Sequence, residues 1–272
     1  MKKFAVLGRP IAHSRSPQIH QCFAEDTHQE LSYERLLVSE EAGFVRTIES
    51  FQQEGGNGAN VTSPCKEEAF HWVTTLTPRA QLAGAVNTIT LNTDGTRSGD
   101  NTDGVGLIKD IRDFLGWSLA HKRILILGAG GAVRGILHPL LCEKPALIVI
   151  ANRTLAKAHN LALLFQSFGP IEARSFEECV SDRFDILINT IPRTKPVPPL
   201  PSILSNTRCY DLIYADEMTP FLKTVQASGA TQIADGVGML VEQAAESFYV
   251  WHGVRPNTLK ARALFHSASK SL

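Results

Sequence analysis

Short apolar runs alternate with longer amphipathic stretches along the first hundred residues of this chain. The runs have the length of strands and predict strands at 4–7, 33–38, 58–62, 86–91 and 96–99. Helices are predicted over 40–53 and from Ser16, with Ser16 as the N-cap and Pro17 as the first helical residue. Such alternation predicts a parallel sheet with helices on both faces, with a hairpin about Asn92–Gly95.

The same alternation continues to about residue 236. Strands are predicted at 123–127, 146–150, 185–189, 209–214 and 232–234, and helices over 103–115 and from Leu155 and Pro220. From Gly236 onward the pattern is helical only. A tail without a strand cannot extend a sheet, so we expect it to pack back on the first part of the chain.

A glycine-rich turn follows the strand predicted at 123–127. It consists of Gly128, Ala129, Gly130, Gly131 and Ala132. Gly128 suits a tight turn, Gly130 would let a pyrophosphate approach bare backbone, and the next helix offers its N–H groups to the phosphates. The alternative interpretation is a flexible glycine turn between a strand and a helix.

The end of the next strand indicates which dinucleotide would bind. Sites for NAD usually place a carboxylate there for the ribose 2′-hydroxyl, whereas this chain has Asn152 followed by Arg153. A guanidinium suits a 2′-phosphate. The sequence therefore predicts NADP as the cofactor.

The length of 272 residues favours two domains. The predicted fold class is α/β, with a Rossmann-like nucleotide domain inserted in a discontinuous α/β substrate domain. The nucleotide domain is expected at 104–237, and the substrate domain at 1–103 and 238–272.

Composition and charge limit the classes of binding partner and the cell compartment that we expect for this protein. Lys plus Arg equals Asp plus Glu at 27 each, and no basic stripe is present, which argues against nucleic acid. The apolar runs are too short to span a bilayer, and Gly8–Pro10 interrupts the N-terminal run, so we expect neither a membrane partner nor a signal peptide. Five scattered cysteines indicate reduced thiols in a cytoplasmic protein.

Polar groups that could do chemistry gather in four clusters, at 13–17, 60–66, 85–88 and 100–104. They place hydroxyls, amides, an amine and a carboxylate at strand ends and helix starts, where α/β proteins hold ligands. We expect a small, anionic, hydroxyl-rich ligand. The ordinary alternatives are helix capping by Ser16 and by either Thr102 or Asp103, and a solvated surface position for Lys66. The histidines lack metal-ligand spacing, and no Gly-x-Ser-x-Gly elbow is present.

Over nearly its full length the chain resembles the shikimate dehydrogenases. The matching stretches are Gly8–Pro17, Asn60–Lys66, Gly84–Thr88, Asn101–Gly104, Gly128–Ala132, Asn152–Thr154 and Gly236–Ala245. Their order and mutual spacing make the resemblance specific. It implies reversible reduction of 3-dehydroshikimate to shikimate with NADPH, in aromatic amino-acid biosynthesis, by a cytoplasmic monomer or homodimer.

The resemblance also implies a role for individual residues, with Lys66 and Asp103 as the catalytic pair. Substrate binding is implied for Ser14, Ser16, Thr62, Lys66, Asn87, Asp103, Tyr214 and Gln243. The glycine-rich turn, Gly128 to Ala132, would hold the pyrophosphate. Further cofactor contacts are implied for Asn152, Arg153, Thr154 and Lys157 at the adenosine 2′-phosphate, and for Ile213, Gly236 and Met239 near the nicotinamide. No metal is expected.

Five positions depart from the family pattern. They are Gln21 after His20, Cys65 before the lysine, Val133 on the first nucleotide helix, Thr190–Pro192 after Asn189, and Ala215–Asp216 after Tyr214. The first two concern the rim of the active site, and the last three concern the cofactor side.

The implied reaction places negative charge on an oxygen as hydride arrives at carbon, so a proton or a nearby cation is needed. Lys66 could supply either, with Asp103 orienting it, and whether Lys66 itself transfers the proton stays open. Two alternatives also stay open. One is a quinate/shikimate dehydrogenase, which would use NAD; the other is a ligand-sensing relative without turnover, which could lack Lys66 or Asp103.

Overall fold

The computed structural model describes residues 1–202 and 204–265, which form two compact units, each with its own sheet. The first unit comprises Met1–Gly106 and Leu240–Leu264, and the second comprises Leu107–Met239 together with Phe265. The second unit is therefore an insertion in the first. The last seven residues of the predicted tail, 266–272, lie outside the described residues.

Six strands form the sheet of the first unit. They are β1 (Lys2–Gly8), β2 (Leu31–Leu37), β3 (Gly56–Val61), β4 (Thr75–Leu76), β5 (Thr88–Leu91) and β6 (Arg97–Asp100), in the order β2-β1-β3-β5-β6-β4. β1 runs parallel to β2 and β3, whereas β5 is antiparallel to β3 and to β6. The prediction of a parallel sheet is therefore wrong for this unit, because the hairpin at Asn92–Gly95 reverses the chain within the sheet.

Ten α-helices lie within the described residues. They are α1 (Ser16–Thr27), α2 (Gly43–Gln53), α3 (Lys66–Trp72), α4 (Pro78–Ala83), α5 (Asp103–Ile108), α6 (Gly131–Cys142), α7 (Leu155–Phe165), α8 (Pro220–Ala227), α9 (Val237–His252) and α10 (Thr258–Ala263). A π-helical turn, Lys109–Phe114, extends α5. The short helices α3 and α4 were not predicted, because two turns are too few to show a clear period in the sequence.

The first helix begins one residue earlier than the sequence indicated. Ser16 is its first residue, and Arg15 occupies the N-cap position without a capping side chain. The backbone N–H of Ser16 donates to Ser14 Oγ at 3.4 Å. The prediction of Ser16 as the N-cap is therefore wrong, and Ser16 is a buried residue of the first turn.

Six parallel strands form the sheet of the second unit. They are β7 (Arg123–Leu127), β8 (Leu147–Ala151), β9 (Ile171–Arg174), β10 (Ile186–Asn189), β11 (Arg208–Asp211) and β12 (Gln232–Ala234), in the order β12-β11-β10-β7-β8-β9. This is the strand order of a doubly wound dinucleotide-binding sheet, whose ligand crevice lies beyond the carboxyl ends of the two strands where the order reverses. Here those two strands are β7 and β10.

Two details of the second unit differ from expectation. β9 was not predicted, and β11 ends at Asp211, so that Tyr214 lies beyond the strand predicted to contain it. Val133, which departs from the small residue usual at its position, is fully buried in the core with Ile136 and Leu137. An apolar side chain at that position therefore fills core space rather than blocking the glycine turn.

Candidate active site

Lys66 and Asp103 meet in the first unit. Lys66 begins α3 and Asp103 begins α5, so each stands at the start of a helix. Lys66 Nζ donates to Asp103 Oδ2 at 2.6 Å, and the two side chains are 22% and 8% exposed. A partly exposed ammonium held by a largely buried carboxylate can donate a hydrogen bond or a proton to an oxygen of a ligand.

Asn87 holds the other oxygen of the same carboxylate. Its Nδ2 donates to Asp103 Oδ1 at 2.8 Å, and its Oδ1 accepts from the backbone N–H of Thr102 at 2.9 Å. A backbone N–H can only donate and a carboxylate can only accept, so chemistry fixes the orientation of this amide. Asp103 is thus held between an ammonium and an amide.

A partly buried ion-pair network supports the segment that carries Asp103. Arg79 donates to both carboxylate oxygens of Asp100, from Nε at 2.6 Å and from Nη2 at 2.5 Å, and to Glu246 Oε1 at 3.2 Å. Although burial acts to raise it, hydrogen bonds from Arg79 and Thr77 hold the pKa of Asp100 below its usual value. An ionised Asp100 therefore anchors the end of β6, three residues before Asp103.

Two hydroxyls lie together at the start of α1. Ser14 Oγ and Ser16 Oγ are 3.3 Å apart, and both residues are buried. Arg35 donates twice to the carbonyl oxygen of Ser14, from Nε at 2.8 Å and from Nη2 at 2.6 Å. Hydroxyls at a helix N-terminus are suited to an anion, because the free N–H groups of the first turn favour negative charge.

The remaining predicted substrate contacts divide between the units. Gln243, on α9, places Oε1 3.3 Å from Asn87 Nδ2. Thr62, just after β3, donates its backbone N–H to the Leu7 carbonyl at 2.9 Å. The first unit therefore contains every predicted substrate contact except Tyr214, which belongs to the second unit.

The glycine turn of the second unit has the geometry of a phosphate cradle. Gly128 has φ +107°, and a Cβ there would lie 2.4 Å from Thr190 Oγ1, so two constraints require glycine. A Cβ on Gly130 or Gly131 would meet no atom within 4 Å. Because α6 begins at Gly131, this open space adjoins the free N–H groups of its first turn, and the residues fit a pyrophosphate.

Two exposed cations follow β8. The side-chain amide of Asn152 donates to the carbonyl oxygen of Thr154 at 2.9 Å and closes the turn before α7. Arg153 and Lys157 make no hydrogen bond or ion pair with other side chains in the described ranges, and no carboxylate occupies the end of β8. Two uncompensated cations fit a 2′-phosphate better than a 2′-hydroxyl.

The residues expected near the nicotinamide follow β11 and β12. Gly236 donates its N–H to the Ile213 carbonyl at 3.2 Å, and a Cβ on Gly236 would lie 2.1 Å from the Leu212 carbonyl oxygen. Only glycine allows this approach of the two loops. The N–H of Met239 donates to the Tyr210 hydroxyl at 3.2 Å. The structure thus brings Ile213 and Gly236 into direct contact.

Two further side chains beside the site, those of Tyr33 and Ser247, were not predicted from the sequence as site residues. Tyr33 donates its hydroxyl to Asn60 Oδ1 at 2.7 Å, a contact made across 27 residues of chain. Ser247 stands one helical turn after Gln243, and that spacing was the one available signal for it. Within residues 1–202 and 204–265, no three His, Cys, Asp or Glu side chains are grouped as metal ligands. No helix in the same part of the chain is both long and apolar enough to cross a bilayer.

The fold and the site together define a two-domain α/β oxidoreductase with a dinucleotide-binding unit. Three family models match successive parts of the chain: the shikimate dehydrogenase substrate binding domain at residues 6–89, shikimate / quinate 5-dehydrogenase at 110–200, and the shikimate 5'-dehydrogenase C-terminal domain at 236–263. The chain belongs to the shikimate dehydrogenase family. This confirms the family predicted from the sequence.

Individual relatives support the same assignment. The chain is 49% identical over 260 residues to a shikimate dehydrogenase (NADP(+)) of Cellvibrio japonicus, with 94% of each chain covered. It is 50% identical over 263 residues to that of Aromatoleum aromaticum, again with 94% of each covered. Among solved structures, the Ael1 enzyme from Pseudomonas putida matches with a TM-score of 0.91 at 41% identity, covering 97% of this chain and 98% of that one.

A complex is also among the similar structures. The shikimate 5-dehydrogenase from Thermus thermophilus, in complex with NADP(H) and shikimate, has a TM-score of 0.86 at 30% identity, covering 98% of this chain and 100% of that one. The predicted two-domain α/β fold class is therefore confirmed.

Proposed function

We propose that this protein catalyses the reversible NADPH-dependent reduction of 3-dehydroshikimate to shikimate. The observation that carries the proposal is the 2.6 Å contact between Lys66 Nζ and Asp103 Oδ2, surrounded by hydroxyls and amides in the first unit. The names of the relatives at 47–50% identity, each a shikimate dehydrogenase (NADP(+)), support it.

The substrate is proposed to bind mainly in the first unit. Ser14 and Ser16 hold its carboxylate, since their hydroxyls adjoin a helix N-terminus. Thr62, Asn87 and Gln243 bind ring hydroxyls with a hydroxyl and two amides. Tyr214 is proposed as a further substrate contact, as the family resemblance implies.

Lys66 and Asp103 perform the proton chemistry in this proposal. When bound, NADPH supplies the hydride that reduces the carbonyl carbon of the substrate. Lys66 gives a hydrogen bond and then a proton to the carbonyl oxygen as negative charge develops on it, and it takes the proton back in the oxidation direction. Asp103 keeps the ammonium oriented and accepts a hydrogen bond from a substrate hydroxyl.

The cofactor is proposed to lie along the second unit. Gly128, Ala129, Gly130, Gly131 and Ala132 hold the pyrophosphate through backbone N–H groups. The 2′-phosphate end is held by Asn152, Arg153, Thr154 and Lys157. The nicotinamide end is assigned to Ile213, Gly236 and Met239.

The nucleotide domain is accordingly proposed at 104–237, and the substrate domain at 1–103 and 238–272. The protein is proposed to act in the cytoplasm as a monomer or homodimer. Light scattering coupled to size-exclusion chromatography would distinguish these two states.

A four-way assay tests the activity. Purified protein is supplied with shikimate or quinate and with NADP or NAD, and the absorbance of the reduced cofactor is followed. We expect kcat/KM for shikimate with NADP to exceed the other combinations at least about tenfold. Equal rates with quinate and NAD would instead indicate a quinate/shikimate dehydrogenase. Binding of shikimate without turnover in any combination would indicate a ligand sensor.

A further inference from the structure

Four buried side chains behind the Lys66–Asp103 pair form a closed ring of hydrogen bonds. They are Asn87, Thr88, Thr102 and Ser247, which are 2%, 1%, 0% and 0% exposed. We propose that Thr88 and Ser247 are positioning residues, which lock the Asn87 amide and through it hold the Asp103 carboxylate toward Lys66. The inference rests on the proposed function, because it assigns a catalytic consequence to the ring.

Four contacts close the ring, and a fifth, of 3.2 Å, joins Thr102 Oγ1 directly to Asn87 Oδ1. Asn87 Nδ2 lies 2.9 Å from Thr102 Oγ1, and Thr102 Oγ1 lies 3.2 Å from Ser247 Oγ. Ser247 Oγ lies 2.7 Å from Thr88 Oγ1, and Thr88 Oγ1 lies 2.8 Å from Asn87 Oδ1. The circuit therefore leaves the Asn87 amide through its nitrogen and returns through its oxygen.

Proton counting gives the two contacts of Thr88 within the ring a direction. Asn87 Oδ1 can only accept, so the single proton of Thr88 is used there, and Ser247 is the donor in the 2.7 Å contact with Thr88. Ser247 has then no proton left for Thr102, whose own single proton faces two acceptors, Ser247 Oγ and Asn87 Oδ1, each at 3.2 Å. Ser247 also lies 3.0 Å from the Gln243 carbonyl, but the contact with Thr88 is shorter.

Each hydroxyl of the ring has one proton to donate and also accepts at least one hydrogen bond. Hydrogen bonds in such a series polarise one another, and in a buried site an unpaired member is costly. The side-chain amide of Asn60 donates to Ser247 at 3.0 Å and to Thr88 at 3.2 Å, which anchors the ring to β3. The ring is therefore a fixed support, not a set of independent contacts.

The support reaches the reactive pair through one amide. The second Nδ2 proton of Asn87 goes to Asp103 Oδ1 at 2.8 Å, opposite the oxygen that Lys66 holds. None of the hydrogen bonds of Thr88 or Ser247 goes to Lys66 or Asp103 within the described residues. Any effect of their hydroxyls on turnover must therefore pass through Asn87 or its neighbours.

Three single variants test the ring. Thr88→Val keeps the shape of threonine without its hydroxyl, Thr88→Ser keeps the hydroxyl, and Ser247→Ala removes the other. We expect Thr88→Val and Ser247→Ala each to lower kcat with shikimate about tenfold, with KM for NADP within about twofold of wild type. Thr88→Ser should retain kcat within about threefold, because the ring stays closed.

The double variant Thr88→Val/Ser247→Ala distinguishes a ring from two separate contacts. A ring opens once, so the second removal should lower kcat by no more than about threefold below the lower single variant. Two independent contacts would instead multiply to about a hundredfold loss. Circular dichroism and thermal unfolding identify any variant that fails to fold. If Ser247→Ala or the double variant fails to fold, the comparison of Thr88→Val with Thr88→Ser still tests whether the hydroxyl at position 88 is needed for turnover.

Different failures have different meanings. If wild type turns over shikimate and the hydroxyl-free variants keep its kcat, the positioning role is wrong and the proposed function stands. The proposal is also wrong if Thr88→Ser has a kcat as low as that of Thr88→Val. It is likewise wrong if the losses of kcat in the two single variants multiply in the double variant. If wild type has no dehydrogenase activity, the proposed function fails, and the catalytic consequence assigned to the ring fails with it.

Discussion

Lys66 begins α3, and its ammonium is partly exposed beside the carboxylate of Asp103. The same carboxylate is held from its other side by Asn87. A lysine held by one carboxylate in this way stays in one place and keeps a free proton for a ligand oxygen. The site therefore depends on one amine whose position is set by Asp103 and, through Asp103, by Asn87.

The first prediction concerns that amine. Lys66→Ala removes the group proposed to give the proton, so kcat should fall about 10²- to 10⁴-fold while KM for shikimate rises less than about tenfold. Steady-state kinetics with shikimate and NADP measures both constants. Lys223→Ala, at an exposed position of α8, is the matched control and should leave kcat unchanged. A Lys66→Ala enzyme with normal kcat would exclude the proposed role.

The second prediction concerns the coenzyme phosphate. Arg153 is exposed and carries no ion pair within the described residues. Arg153→Gln should raise KM for NADP about tenfold or more and leave KM for NAD nearly unchanged, because only NADP has the 2′-phosphate. Arg183→Gln, another exposed arginine of the second unit, serves as the control. Equal changes toward both coenzymes would contradict a phosphate contact.

At the scale of elements, the start of α9 is fixed by packing within the second unit. A Cβ on Gly238 would lie 2.0 Å from Asp110 Oδ1. The Tyr210 hydroxyl donates to Asp110 Oδ2 at 2.6 Å and accepts from the N–H of Met239. Burial and the nearby Asp110 raise the pKa of Tyr210 well above its usual value, so this hydroxyl keeps its proton. Gly238 is thus required by the close approach of a carboxylate.

The third prediction follows from this approach. Gly238→Ala should lower the free energy of unfolding by about 1–3 kcal/mol, because the added methyl overlaps a buried carboxylate. Urea unfolding, followed for the transition of the second unit, measures the change. Gly131→Ala is the control, since a Cβ there meets no atom within 4 Å and should be neutral or slightly stabilising. Equal stability of the two variants would show that the start of α9 moves aside easily.

Elements with a clear period were predictable and short ones were not. The strand at 123–127, the helix from Leu155 and the helix from Pro220 begin where the sequence placed them. The helices α3 and α4 and the strands β4 and β9 were missed, because each is too short to repeat a pattern. The antiparallel pairing of β5 with β3 was also missed, since strand order depends on contacts distant in sequence.

At the scale of the whole molecule, a buried histidine, His20, and a half-buried one, His252, make stability depend on pH. His20 stacks on Tyr33 with ring centroids 4.3 Å apart, and His252 stacks on Phe248 at 4.3 Å. Burial, with a smaller contribution from His252, lowers the pKa of His20 to about 3, against an opposing effect of Asn60. Burial and then Lys2 lower the pKa of His252 to about 4. Both rings are therefore neutral in the folded protein at physiological pH.

Acid should destabilise the folded protein through these two histidines. In the unfolded chain these histidines bind protons near pH 6.5, whereas in the folded protein they do so only near pH 3 to 4. Their contribution to stability is thus complete above about pH 6.5 and is lost as the pH falls toward 4. His20→Phe should reduce the slope of unfolding free energy against pH by up to about 1.4 kcal/mol per pH unit over this range.

Urea unfolding at several pH values between 7 and about 4.5 measures that slope. The exposed His159 provides the control, and His159→Gln should leave the slope unchanged. If wild type and His20→Phe lose stability in parallel, His20 is not one of the groups that destabilise the fold in acid.

The sequence by itself determined the family, the α/β class and the glycine turn with its following cations, because each of these depends on residues that are close together in the sequence. It named Lys66, Asp103, Asn87 and Gln243, and their roles stay predictions. Only the tertiary structure decided how those groups are held. The ring through Ser247 joins residues up to 159 positions apart, and the amide of Asn87 takes its orientation from Thr102 and Asp103. Hydrogen-bond partners of that kind are brought together by packing, and no local pattern in the chain records them.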